Sequence, residues 1–170
     1  MIIIRALKCA DPNVLVPTDY SVIQDAYTPN ATFQSDLPLC PGVSPYLSSP
    51  APNMSEFVLG VNRPVGCRAR QRVAVIVPYR ARPEHLSRLT AHLNPILARQ
   101  QLQYQIFIVE QQGNGTFSRA RLMNAGVKFL EMNPGQWDCY IFHDVDLLLE
   151  EREPMRTENI CDFLPKFKLH

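Results

Sequence analysis

The sequence predicts an α/β fold built on a mostly parallel, Rossmann-like sheet, and three observations support that prediction. Short apolar runs rich in β-branched or aromatic residues recur at Val73–Val77, Tyr104–Val109 and Cys139–Phe142, the pattern of strands covered on both faces. Between them lie segments whose apolar residues recur every three or four positions, so strand and helix alternate with short connections. Each run also ends in a polar cluster: Tyr79-Arg80-Ala81-Arg82, Glu110 to Arg119, and Asp144 to Asp146. Parallel sheets of this kind bind ligands beyond the carboxyl ends of their strands, so the three tips predict one site.

The first strand, Val73 to Val77, stops at Pro78. A helix opens at Pro83, with Glu84 favourably placed in its first turn and Leu86, Leu89, Leu93, Ile96 and Leu97 on one face. Pro95 is expected to kink that helix or divide it in two. The second strand runs from Tyr104 to Val109 and gives way to the polar loop Glu110 to Gly115. A second helix starts near Phe117 or Ser118, turns Ala120, Leu122, Met123, Gly126, Val127 and Leu130 inward, and ends at Asn133-Pro134-Gly135. The third strand delivers the acidic pair.

The 170 residues are about the size of one domain. With 46% apolar and 19% charged residues the composition excludes a disordered chain. A formal net charge of +1 gives no reason to expect nucleic acid or a membrane surface as partner. Most prolines precede Pro83, and dense proline disfavours both helix and central strand. Residues 1–70 therefore read as an extended, loop-rich arm leading into the α/β unit. The apolar opening Met1-Ile2-Ile3-Ile4 is interrupted by Arg5 and Lys8, too short for a spanning helix and a poor signal peptide.

None of the five cysteines forms a Cys-x-x-Cys pair, which disfavours a zinc site. A disulfide between Cys40 and Cys67 would close a loop of roughly 28 residues, worth about 3.6 kcal/mol in the chain-entropy picture. Sequons at Asn30, Asn53 and Asn114 fit the secretory pathway. Reduced thiols in a cytosolic protein are the alternative.

Asp144 and Asp146 lie two apart, so in an extended segment both face one side. Their oxygens suit a hard divalent cation such as manganese or magnesium; a strand ending in a solvated acidic turn is the plainer reading. Arg80 and Arg82 sit just before a helix N-terminus, where guanidinium groups can grip phosphate; pairing with Glu84 or simple solvation is the alternative. Tyr79 is placed to pack beside a base or sugar. Phe117 and Arg119 could stack on a nucleobase and reach phosphate, although for Phe117 alone core packing or a hydrophobic staple is favoured. His85 and His143 read as solvent-facing or structural. No Gly-x-Gly-x-x-Gly follows the first strand, and Walker-type loops and Gly-x-Ser-x-Gly elbows are absent. A nucleoside diphosphate held by arginines and a metal fits best.

Four motifs together resemble the β-1,4-galactosyltransferases: Val73 to Leu86, Pro95 to Tyr104, Phe117 to Asn124, and Phe142 to Leu147. Leu39-Cys40-Pro41 with Ser44-Pro45 is similar to the start of that family's luminal domain. The resemblance implies a glycosyltransferase A-type fold, a type II Golgi membrane enzyme, and Mn2+ as cofactor. It implies inverting transfer of galactose, or N-acetylgalactosamine, from a UDP-sugar to a terminal N-acetylglucosamine or glucose-type acceptor. By the same resemblance Pro78, Tyr79, Arg80, Ala81 and Arg82, then Phe117, Ser118 and Arg119, then Val145 and Asp146 form the donor-nucleotide site, with Asp146 as metal ligand. Cys40 is implied to pair with Cys67.

The resemblance divides the chain into an N-terminal extension at 1–36, the N-terminal part of a galactosyltransferase domain at 37–149, and a divergent tail at 150–170. Tyr79 stands where phenylalanine is also common. The family's Trp-Gly-Gly-Glu-Asp-Asp segment, with its acceptor site and catalytic base, and a later Met…His pair of metal ligands have no counterpart, nor does a membrane anchor. No catalytic residue is therefore named. The sequence is expected to be a donor-nucleotide half, with a non-catalytic UDP-binding remnant or an interfering partner of the full-length enzyme as the alternative.

Overall fold

The centre of the sheet is the β-branched run that begins at Val73. The computed structural model describes residues 2–7, 36–47, 55–58, 61–132 and 137–148. In chain order its elements are β1 (Ile2–Leu7), β2 (Ser55–Val58), β3 (Val61–Pro64), β4 (Arg72–Tyr79), α1 (Pro83–Arg99), β5 (Gln103–Gln111), α2 (Arg119–Met132) and β6 (Cys139–Phe142). They build one mixed sheet in the order β2-β3-β5-β4-β6, with β1 also paired to β5. The central ladders are parallel: Val73 to Tyr79 of β4 align with Tyr104 to Glu110 of β5, and Val73 to Ile76 with Cys139 to Phe142 of β6.

The alternation of side chains along β4 and β5 explains the two-sided core. Val73, Val75, Val77, Tyr104, Ile106 and Ile108 meet Leu86, Leu89, Leu93 and Leu97 of α1 on one face. Ala74, Ile76, Phe107 and Val109 meet Leu122, Val127 and Leu130 of α2 on the other. Crossovers on opposite faces leave the connections after β4, β5 and β6 together at one rim. At the opposite end Asp138 locks the β4–β6 register. Its carboxylate accepts from Arg72 Nη2 at 2.8 Å and from the Arg72 N–H at 2.7 Å, and its own N–H donates to the Arg72 carbonyl at 2.8 Å.

Several expectations change. β4 does not stop at Pro78 but runs to Tyr79. Pro78 lies past the end of the β6 ladder, so its missing N–H removes no bond there. α1 is not divided at Pro95; it is one helix of 17 residues. An internal proline costs about 3 kcal/mol, which burial of Leu93, Ile96 and Leu97, each worth roughly 1.5–3 kcal/mol, offsets. Ala120 is exposed rather than inward, because the first turn of α2 projects past the strand ends. In β6 only Cys139 is fully buried, the other three residues partly so. Three antiparallel strands also fall within the first seventy residues, read from the sequence as an extended arm. β1 pairs with β5 from Ile2↔Gln111 to Leu7↔Ile106, β2 with β3, and β3 touches β5 at Asn62↔Tyr104. Proline density masked them, and β3 itself ends on Pro64.

Cys40 and Cys67 form a disulfide, with Cα atoms 5.0 Å apart. Around it the Cys40 N–H donates to the Arg68 carbonyl at 2.9 Å and Arg70 Nε donates to the Cys40 carbonyl at 2.6 Å. Cys139 is also disulfide-bonded. Cys9, Cys161, Asn30, Asn53 and the tail at 150–170 lie outside the described residues. Among the described residues no helix is long and apolar enough to cross a membrane.

Candidate nucleotide-diphosphate site

The three polar tips meet. Pro78, Arg80, Ala81 and Arg82 after β4, Phe117 and Arg119 at the start of α2, and Asp144, Val145 and Asp146 after β6 line one cavity of about 410 Å³. That volume lies in the range of small-molecule sites.

Each side chain is positioned by a local device. Between β4 and α1 the chain turns through Ala81 at φ 47°, a left-handed conformation that a non-glycine residue adopts at a cost of about 1–2 kcal/mol. This turn leaves the side chains on both sides of Ala81 lining the cavity. Arg80 Nη1 donates to the Gly115 carbonyl at 2.5 Å, and its guanidinium lies over the Phe117 ring, 5.4 Å from the centroid, a cation–π arrangement. Gln111, at the end of β5, staples the loop ahead of α2. Its Nε2 donates to the Thr116 carbonyl and its Oε1 accepts from the Ser118 N–H, both at 2.9 Å.

The carboxylates are held by the arginines. Arg82 Nη1 lies 2.8 Å from Asp146 Oδ2, and Arg119 Nε lies 2.6 Å from Asp144 Oδ1. Behind them the His143 N–H donates to the Ile76 carbonyl at 3.1 Å, extending β6 toward the acids, and a ring nitrogen of His143 bonds to the Asp144 carbonyl at 2.8 Å. Val145 is buried and packs on the α1 face of the core, which anchors the acidic turn from below.

Two of the sequence-derived candidates sit off the cavity wall. Tyr79 is only 7% exposed, belongs to the core under α1 and is not among the residues that line the cavity. Ser118 contributes a backbone N–H to Gln111 and does not line the cavity. Phe117, read from the residue alone as a core or staple position and by the resemblance as part of the donor site, is 39% exposed and lies on the cavity wall. Gln111 and the Gly115 carbonyl are contributors that sequence reasoning missed. A glutamine in a polar loop carries no distinguishing pattern.

For a divalent cation, the fit is partial. Two carboxylates at one cavity supply hard oxygen donors of the right kind. Among the described residues, however, no group of three His, Cys, Asp or Glu side chains converges to hold a metal ion, so Asp144 and Asp146 make at most part of a coordination set.

A parallel β-α-β-α-β unit with arginines, an open aromatic and paired acids at its carboxyl rim is the arrangement of a partial glycosyltransferase A-type fold. Residues 47–158 match the N-terminal region of glycosyl transferase group 7, and the chain belongs to the β-1,4-galactosyltransferase family. It is 47% identical over 141 residues to beta-1,4-galactosyltransferase 3 of Mus musculus, covering 74% of this chain and 35% of that protein. The Rattus norvegicus form is 42% identical, covering 94% of this chain and 45% of the relative. Beta-1,4-galactosyltransferase 4 of Homo sapiens is 43% identical over 135 residues, 71% of this chain and 39% of that protein. The chain thus spans less than half the length of these relatives.

Proposed function

We propose that this chain forms the donor-nucleotide half of a transferase that moves galactose, or N-acetylgalactosamine, from a UDP-sugar to a glycan ending in N-acetylglucosamine or a glucose-type sugar. The observation that carries this reading is the meeting of Arg80, Arg119, Phe117 and Asp146 at one cavity. In this reading the Phe117 face takes the uracil, with Arg80 behind it. Arg82 and Arg119 grip the diphosphate, where two fixed guanidinium groups stabilise negative charge as the sugar departs. Asp146, with Asp144 beside it, contributes oxygens to Mn2+, which when bound supplies further charge stabilisation to the leaving diphosphate. Val145, anchored in the core, fixes the acidic turn so that these charges need not reorganise during reaction. A lumenal, Golgi setting accords with the Cys40–Cys67 disulfide, since such bonds persist in oxidising compartments.

A second reading is a UDP-binding unit that transfers no sugar. One observation favours it: the two acids lining the cavity are the ones the first reading gives to the cation, leaving no carboxylate there to take the proton from an acceptor hydroxyl. One experiment addresses both. Calorimetric titration of the purified chain with UDP, in manganese, is expected to show binding that weakens at least tenfold in Arg119→Ala. Absence of binding overturns the donor-site reading. Release of galactose from UDP-galactose, with or without an N-acetylglucosamine acceptor, overturns the second reading.

A further inference from the structure

We propose that Tyr79 is a positioning residue for Arg80 and Arg82, the two arginines that flank Ala81, acting through its hydroxyl without touching the nucleotide. The inference deepens the donor-site reading and rests on it. The Tyr79 ring is fixed in the core beneath α1, in the cluster that also holds Leu86 and Val145. From that fixed base its hydroxyl reaches up to the turn and accepts a hydrogen bond from the Arg82 backbone N–H at 3.0 Å. Arg82 is the residue at which α1 starts, and no side chain of its own caps the helix there. The first N–H groups of a helix have no partner within it, and the hydroxyl meets this need from three residues upstream.

The bond closes the loop around Ala81, the residue held at φ 47°. Left-handed backbone at alanine persists only where its surroundings enforce it. The tyrosine hydroxyl supplies that enforcement at the point where the chain carries Arg80 on one side and Arg82 on the other, both lining the cavity. Removing the hydroxyl leaves the ring packed and the core intact. It frees the turn, so that both guanidinium groups must be ordered at the moment of binding, which lowers affinity.

The test is Tyr79→Phe, assayed with UDP in manganese. Affinity is expected to fall about fivefold, the factor equivalent to one ordinary hydrogen bond, with cooperative unfolding retained. A structural role alone would weaken binding equally in any background. Positioning of the two arginines instead predicts a smaller penalty once Arg82→Ala is present, the remainder acting through Arg80. Wild-type affinity in Tyr79→Phe, or an undiminished penalty in the Arg82→Ala background, overturns the proposal. Amide hydrogen exchange without ligand is the independent arm: the Arg82 amide is expected to lose protection in Tyr79→Phe, and unchanged protection refutes the clamp. If the wild-type chain binds no UDP the donor-site reading fails, and the exchange arm still decides whether Tyr79 holds the turn.

Discussion

Arg82 and Asp146 are joined by an ion pair of 2.8 Å across the cavity, and Arg119 and Asp144 repeat the arrangement at 2.6 Å. The Arg82 and Asp146 side chains are about half exposed, so such a pair contributes only about 0–1 kcal/mol and is easily exchanged. A diphosphate draws on the arginines and a divalent cation draws on the acids. Each ligand therefore frees groups that the other requires, and the two should bind with positive coupling.

The expected coupling is measurable from either side. Manganese should raise UDP affinity, and UDP should raise manganese affinity by the same factor, between about 5 and 150. Asp146→Asn separates the effects. In the absence of metal this variant should bind UDP no more weakly than the parent, because Arg82 has lost its competing partner, whereas manganese should no longer strengthen binding. Titration calorimetry with and without the cation reads both quantities, and a UDP affinity that falls in metal-free Asp146→Asn contradicts the exchange.

Gly126 marks the closest approach of α2 to the sheet. A Cβ there would meet Ile76 Cγ2 at 2.7 Å and Val109 Cγ2 at 3.1 Å, and both neighbours are fully buried. Alanine improves helix propensity by about 1 kcal/mol, while overpacking costs about 1–3 kcal/mol. Gly126→Ala is therefore expected to lose about 1 kcal/mol in urea unfolding, and Gly126→Val more. Because Arg119 begins the same helix, UDP affinity should fall with them.

The disulfide offers the opposite combination, a loss of stability without loss of the site. Cys40 and Cys67 are separated by 27 positions, and opening a loop of that length costs about 3–4 kcal/mol. The bond ties the segment near Leu39 to the stretch just before β4, at the end of the sheet opposite the cavity. The double variant Cys40→Ser/Cys67→Ser should unfold at markedly lower urea concentration while the folded fraction binds UDP as the parent does. It leaves the Cys139 bond untouched, which reduction would not.

What was legible in the sequence follows from which patterns are local. The core of β4 and the whole of β6 appear as unbroken apolar runs, β5 as one interrupted only by Gln105, and α1 and α2 as three- and four-residue spacing, because each element buries its side chains against a face set by its own period. The convergence of Arg80, Arg119 and Asp146 was legible for the same reason: parallel strands place successive polar tips at one rim. The antiparallel strands were not. β2 and β3 are four residues each, and β1 is specified by pairing with β5, more than ninety residues away along the chain. Both Tyr79 and Phe117 were expected at the donor site, and only Phe117 lines the cavity, because burial, not residue type, decides which aromatic reaches it. The Arg82–Asp146 pairing joins residues 64 apart in sequence, and no local pattern announces it.

Asn114 tests the compartment. Of the three sequons it alone lies among the described residues, exposed in the loop between β5 and α2. Gly113, at φ 84°, turns the chain just before it, and the Gly115 and Thr116 carbonyls are held by Arg80 and Gln111. The side chain therefore stands on a pinned, solvent-facing loop with room for a bulky sugar. Protein made in a secretory host is expected to carry a glycan there, removable by amidase digestion and absent in both Asn114→Gln and Thr116→Ala. The two substitutions should give the same loss of mass, since the acceptor needs both the amide and the hydroxyl. Unmodified Asn114 in protein that carries glycans at Asn30 or Asn53 would mean that the pinned loop is closed to the modifying enzyme. Protein modified at none of the three would argue against passage through the secretory pathway.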